Sequence, residues 1–333
     1  MLIKPFPKVE NVHAVPVPLP DPPDLITANV YVVGKGPITL IDTGPKIPGS
    51  LEFLRKKLRL AGFDFSDIER IIITHGHVDH FGLAASIRKA AGHPVECFIH
   101  VEDKWQVSGE NFQGNMWSEE LDHFMAMVGM PEKELERIKK HFCSFKQLAD
   151  PIEEISTMED GDEFIADGFH LRVIHSPGHS PGSCCLYESR QKILFSGDHI
   201  IKHITPNPFV EINLDHLQNP QYQSLKAYLN SLDKLIRLDV RFVFTGHGEY
   251  IQDLPGIISS YRTHHRERMD FVWRVLKKKS RPIYRLIDDV FPFVPENDVF
   301  LAASEIFVHL EILINEGRAE LVDPGPPALY RVL

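Results

Sequence analysis

Within six residues, His75-Gly76-His77-Val78-Asp79-His80, the chain sets four side chains that ligate metal ions. They follow the run Ile71–Ile73, a short β-branched segment of the kind that forms a buried strand. A His-x-His step in a tight loop after a strand aims both imidazoles at one point, and the Asp-His pair then turns toward a second point nearby. Three later segments repeat the arrangement of strand, glycine-containing turn and ligand. Pro177-Gly178-His179-Ser180 follows Leu171–His175, Ser196-Gly197-Asp198-His199 follows Ile193–Phe195, and Thr245-Gly246-His247-Gly248 follows Phe242–Phe244. Glycine lets the backbone bend sharply close to a bound ion. Loops at one edge of a sheet are where a rigid scaffold presents catalytic groups.

The rest of the pattern supplies such a scaffold. Asn29–Val33 and Ile38–Asp42 read as strands around a Gly-Lys-Gly-Pro turn, and Leu51–Ala61 as a helix stopped by Gly62. Glu163–Ile165, Leu171–His175, Cys184–Tyr187, Ile193–Ser196 and Phe242–Thr245 continue the strands, with a helical stretch over Gln221–Leu238. Residues 102–155, rich in Glu, Lys, Met and Phe, read as a helical insertion or cap. Within it Leu121, Phe124, Met125 and Val128 recur at helical spacing, as the packed face of a helix does. Residues 1–260 are expected to form the core domain. Residues 261–333 read as three helices (Arg262–Lys279, Pro282–Val290, Leu301–Glu316) and a two-stranded hairpin (Arg318–Val322, Ala328–Val332), a winged-helix-like pattern.

The order HxHxDH, PGHS, SGD, TGHG, with Ile41-Asp42-Thr43-Gly44 ahead of it, resembles the motif set of the metallo-β-lactamase superfamily. The resemblance implies an α/β fold, an αββα sandwich with its metal site at one edge. It implies that His75, His77 and His179 hold one ion, that Asp79, His80 and His247 hold a second, and that Asp198 bridges them. Imidazole-rich sites of this kind suit two zinc ions, with manganese or iron as alternatives. Ions about 3.5–4 Å apart would share a bridging hydroxide that attacks a carbonyl carbon or a phosphorus. Asp79 and Asp198 are the carboxylates expected to take part in catalysis. Asp42 is expected to orient a ligand histidine.

Within the superfamily, Asp198 argues against the antibiotic-hydrolysing enzymes, which lack the bridging carboxylate. His199, Ile200 and Ile201 stand where lactonases of the superfamily place a tyrosine. The C-terminal pattern is similar to the branch with a winged-helix-like domain that includes lactamase-β-like protein 2. Three functions follow. The first is a hydrolase of a small ester, thioester or lactone. The alternative is a single-strand-specific endoribonuclease, and the least favoured is a binding module without catalysis. Substrate contacts are expected from His199, and from His264 and Arg268, which share a helix face. His203 and His216 read as pocket lining or surface.

Charge bears on the choice. The net charge of −10 gives no general attraction to nucleic acid or to anionic membranes. The segment 262–285 is the exception, with nine basic and two acidic residues, a net of +7, and is the stretch that RNA would use. The four cysteines form no CxxC pair, and adjacent Cys184 and Cys185 would face opposite sides of a strand. Free, mostly buried thiols fit a reducing compartment. With no leader-like or membrane-spanning stretch, a cytoplasmic protein is expected.

Overall fold

The computed structural model describes residues 5–19, 26–109, 118–166, 168–212, 219 and 221–333. His216 lies outside the described residues, as do residues 110–117 of the expected cap.

Two sheets carry the fold. The first runs, in spatial order, β1 (Val12–Pro18), β2 (Thr27–Val33), β3 (Ile38–Ile41), β4 (Ile68–Ile72), β5 (Glu96–His100) and β6 (Ser156–Met158). Its first three strands pair antiparallel and its last four pair parallel. The second sheet contains β7 (Glu163–Ala166), β8 (Phe169–His175), β9 (Cys184–Glu188), β10 (Ile193–Gly197) and β11 (Phe242–Thr245), in reverse spatial order. Only β10 and β11 pair parallel in this sheet.

The period-two alternation of side chains builds the layers. In β2, Val30 and Val32 join the core under helices α1 (Ser50–Leu60) and α3 (Ala84–Ala91), which flank the short α2 (Val78–Phe81). Tyr31 and Val33 of the same strand join the core between the sheets. In β9, Cys184 and Leu186 face the first sheet. Cys185 and Tyr187 face the other way, into the cluster that includes Tyr228 and Leu232. All four cysteines are free, and Cys97, Cys184 and Cys185 are buried. The result is the expected four-layer αββα sandwich.

Beyond the short α4 (Lys104–Val107) come α5 (Glu119–Val128) and α6 (Glu132–Phe145). Helix α7 (Ser224–Leu235) covers the second sheet, followed by α8 (Leu254–Leu276), α9 (Tyr284–Val290) and α10 (Val299–Asn315). The antiparallel pair β12 (Ala319–Asp323) and β13 (Leu329–Val332) ends the chain's described structure. Three helices and a hairpin thus occur in the expected order. The start expected at residue 261, however, falls inside α8, an unbroken helix that begins at Leu254 and buries Leu254, Ile258 and Tyr261 against the sandwich.

The helical insertion packs against the C-terminal helices. Leu121, Phe124, Met125 and Val128 of α5 are buried in one cluster with Val272, Leu286, Ile306 and Leu310. A helix with one apolar stripe must bury that stripe against another element. The C-terminal helices supply the partner face. Strands β1, β5 and β6 were not evident from the sequence. In β1, Pro16 and Pro18 weaken the strand signal, and the strand sits at a sheet edge, where proline is tolerated.

Candidate metal centre

The seven residues singled out by their spacing come together at the C-terminal ends of the strands. His75 and His77 lie in the loop after β4, and Asp79 and His80 lie in α2, which starts there. His179 follows β8, Asp198 follows β10, and His247 follows β11. Three groups of potential ligand atoms result: His75, His77 and His179; His75, His80 and Asp198; and Asp79, His80 and His247. Within each group the atoms lie within 4.8 Å of one another.

Hydrogen bonds on the far side of each ring decide which nitrogen faces inward. His80 Nδ1 donates to Asp42 Oδ2 at 2.8 Å, and His247 Nδ1 donates to the Thr27 carbonyl at 2.7 Å. His179 Nδ1 donates to the Asn207 carbonyl at 3.2 Å. Thr74 spends its hydroxyl proton on Asp42 at 2.9 Å and so accepts from His75 Nδ1 at 3.1 Å. Because these partners can only accept, Nδ1 carries a proton in each of these rings and the inward nitrogen is Nε2. His77 turns Nδ1 inward, 3.0 Å from His75 Nε2 and 3.1 Å from His179 Nε2.

Asp198 lies between the groups. Its Oδ2 is 3.0 Å from His247 Nε2 and 3.7 Å from His179 Nε2, and its Oδ1 is 3.3 Å from His80 Nε2. Asp79 Oδ2 is 3.3 Å from His247 Nε2. Burial, followed by the neighbouring imidazoles, holds His75 well below the ordinary histidine range and takes His179 down to about 3. Burial would lower His80 and His247 too, but the carboxylates around them outweigh it. Asp198, Asp79 and Asp42 raise His80, and Asp198 with Asp79 raises His247 to about 10. Burial lowers His77 as well, so the pocket combines three neutral, lone-pair-bearing rings with a half that is strongly attractive to positive charge.

This donor set fits divalent cations. Inward-facing lone pairs about 3 Å apart cannot satisfy one another without a shared proton. Asp198 Oδ1 is buried without a hydrogen bond among the described residues. A cation between such atoms meets all of them at once, and five imidazoles with two carboxylates are the ligands that zinc-type ions prefer.

The structure also shows the other expected site residues. Asp42 takes hydrogen bonds from Thr74 N, Thr74 Oγ1 and His80 Nδ1. His199 is 1% exposed, with its ring 4.6 Å from that of Tyr228. Arg268 pairs through Nε with Glu305 Oε1 at 2.7 Å, donates to the Val290 carbonyl and lies over the Phe291 ring. His264 Nε2 is 3.9 Å from the same Glu305 carboxylate. The described contacts of Arg268 and His264 are thus within the C-terminal helices, and none reaches the seven-residue cluster. His203 is exposed.

Some residues at the site carried no sequence signal. Thr27 and Asn207 act through backbone carbonyls, which any residue could supply. Phe209 sits with its ring centre 5.3 Å from those of both His77 and His179. Its loop is fastened to α10 by Asn207 Nδ2 donating to the Leu301 carbonyl and by Val210 N donating to Ser304 Oγ. Asp103, fully buried beneath two of the ligand loops, was hidden in the segment read as a cap.

Known proteins resemble this chain. Over 91% of its length the chain is 28% identical to the Probable metallo-hydrolase YqjP of Bacillus subtilis, covering 92% of that protein. It is 25% identical to the Beta-lactamase-like protein 2 homolog of Drosophila melanogaster, over 91% of the chain and 87% of the relative. A stretch of 174 residues, 51% of the chain and 57% of the relative, is 29% identical to Acyl-coenzyme A thioesterase MBLAC2 of Gallus gallus. Among solved structures, a metallo-beta-lactamase family protein from Thermus thermophilus superposes with a TM-score of 0.81 at 27% identity, covering 98% of this chain and 99% of that one. The family model of the metallo-beta-lactamase superfamily matches residues 23–247, which contain every strand of the two sheets except β1 and all seven converging side chains. The chain is a hydrolase-type member of the metallo-beta-lactamase superfamily.

Proposed function

We propose that the chain hydrolyses a small acyl substrate, an ester, thioester or lactone, at a centre of two divalent cations, with zinc as the first choice. His75, His77 and His179 would hold one cation, and Asp79, His80 and His247 the other, with Asp198 shared. Cations there supply Lewis acidity toward the acyl oxygen and toward the attacking water. The chain's own groups do the rest. Asp42, Thr74 and the Thr27 and Asn207 carbonyls fix the ring orientations. Asp79, whose side chain is 23% exposed against 7% for Asp198, would be the carboxylate that orients the water.

The observation that carries the acyl reading is Phe209, which puts an aromatic wall against His77 and His179. An apolar wall suits an acyl group and excludes bulk water. A phosphodiester would ask for cationic side chains instead. Among the described residues, no lysine or arginine forms an ion pair or hydrogen bond with the seven. In the basic segment 262–285, Arg262 pairs with Asp233, Arg268 with Glu305 and Arg281 with Asp289. That leaves less charge for a phosphate backbone than the sequence count suggests. The name of the Gallus gallus relative, a thioesterase, supports the same choice.

Purified protein loaded with zinc or with manganese, assayed on acyl-CoA thioesters, aryl esters, lactones and single-stranded RNA, tests the proposal. Turnover of an acyl substrate that His77→Ala and Asp198→Ala abolish is expected. RNA cleavage without acyl turnover, lost in the same variants, would replace this reading with the nuclease one.

A further inference from the structure

The two loops that supply His75, His77 and His179 meet on one carboxylate. Asp103, shortly after β5, is fully buried. Its Oδ2 accepts from Gly76 N at 2.8 Å, and Gly76 is the residue between His75 and His77. The same oxygen accepts from Ser180 Oγ at 2.6 Å, next to His179, and Oδ1 accepts from Gly182 N at 2.7 Å. Ser180 is fixed in turn by Ser183, whose Oγ lies 2.7 Å from Ser180 Oγ and accepts from Ser180 N at 3.0 Å. Gly182 is required at its position, because a Cβ there would lie 2.6 Å from the Asp103 carboxyl carbon.

We propose that Asp103 is a positioning residue for the three-histidine half of the metal centre, locking the His75–His77 loop to the His179 loop. The assignment rests on the reading of the seven residues as cation ligands. Among the described hydrogen bonds, none joins Asp103 to the ring nitrogens of these histidines in the way Asp42 contacts His80. It acts on the backbone that carries them, so that three lone pairs from two separate loops share one centre. Three donors on one buried carboxylate also make the junction hard to replace. An amide in its place turns an N–H toward either Gly182 N–H or the Gly76 and Ser180 donors, whichever way it flips. A buried donor left without an acceptor is costly.

The test is metal binding by Asp103→Asn and Ser180→Ala against the unaltered protein. Zinc is titrated in competition with a chromophoric chelator, and the visible spectrum of the cobalt-loaded protein is recorded. Asp103→Asn is expected to weaken one of two zinc equivalents by about 10- to 100-fold and leave the other near its original affinity, with a changed cobalt spectrum. Ser180→Ala, which deletes one bond of the three, is expected to weaken the same equivalent to a smaller degree, and it decides the matter if Asp103→Asn does not fold. Two equivalents bound by both variants within twofold of the unaltered protein, with an unchanged cobalt spectrum, would overturn the assignment of Asp103 alone. An unaltered protein that binds no zinc or cobalt would overturn the metal-centre reading and the assignment with it.

Discussion

Asp42 Oδ2 accepts the Nδ1 proton of His80 at 2.8 Å, which leaves His80 Nε2 as the only ring nitrogen that can face the cluster. Asp42 is held for this task by Thr74, which donates to it from both N and Oγ1. It stands at φ 59°, a left-handed conformation that Asp and Asn accept more readily than other side chains.

The substitution Asp42→Asn therefore keeps the backbone and changes one group. If its carbonyl stays on Thr74 N, its amide faces His80 Nδ1, and two donors oppose each other. The ring then loses the partner that fixed its tautomer. A drop of about 10- to 100-fold in metal affinity or turnover is expected, with less than a few degrees lost in melting temperature. An Asp42→Asn protein with unaltered metal affinity and turnover would show that Thr74 and packing alone orient His80.

Much of this centre was legible in the sequence because its chemistry is confined to few residue types. Histidines and aspartates that follow strand-like segments through glycine turns announce a shared edge before any coordinates exist. The features that were not legible act through generic groups. The Thr27 and Asn207 carbonyls have no side-chain signature, and Asp103 serves loops 27 and 79 residues away in sequence. The insertion and the C-terminal helices looked like separate units because each is amphipathic on its own. That their apolar faces share one core is a tertiary fact, set by Phe124, Val128, Ile306 and Leu310 meeting across more than a hundred residues of chain.

Glycine at 246 is expected to tolerate nothing larger. A Cβ there would lie 2.2 Å from Asp198 Oδ1 and 2.9 Å from His80 Cε1, inside the cluster itself. Gly76 is less tight: its hypothetical Cβ would meet Gln106, at 2.8 Å from Oε1, which can swing away, and at 3.0 Å from Cβ, which must give by a few tenths of an ångström. Gly246→Ala should therefore abolish bound metal and turnover, and Gly76→Ala should retain part of both. Elemental analysis of the two purified variants checks the contrast, and equal metal content in both would refute it.

Part of the acid sensitivity should come from a buried histidine pair away from the metal centre. His265 Nδ1 lies 3.1 Å from His309 Nε2, and His309 Nδ1 donates to the Glu305 carbonyl at 2.6 Å. His265 is therefore the donor of the pair, and both rings are neutral. Burial, then each other's charge and that of His264 and Arg268, takes His265 down to about 2. Burial takes His309 down to about 4 against the opposing Glu305. The unfolded chain binds protons at these histidines below about pH 6.5 and the folded chain does not, so stability falls as pH drops from 6.5 toward 4. At His309 the full loss is on the order of 3 kcal/mol. Melting curves at pH 7 and pH 5 should show a smaller acid loss for the double variant His265→Leu/His309→Leu than for the unaltered protein. The same loss in both would place the acid-sensitive groups elsewhere.

Glu311, two residues further along α10, should act with the opposite sign. Burial pushes its carboxyl up from 4.5 to about 7. The folded chain then binds a proton that the unfolded chain has already released, so the side chain costs stability as pH rises from 4.5 through 7 and the cost is complete above that. Glu311→Gln keeps the shape and removes the titration. It should leave stability near pH 4.5 almost unchanged and raise it at pH 8 by about 2–3 kcal/mol at most, because the group retains some exposure. Denaturant titrations at the two pH values measure this directly. A gain of the same size at both would mean that Gln improves packing, and no gain at pH 8 would mean that water reaches the carboxylate well enough to keep it ionised without penalty.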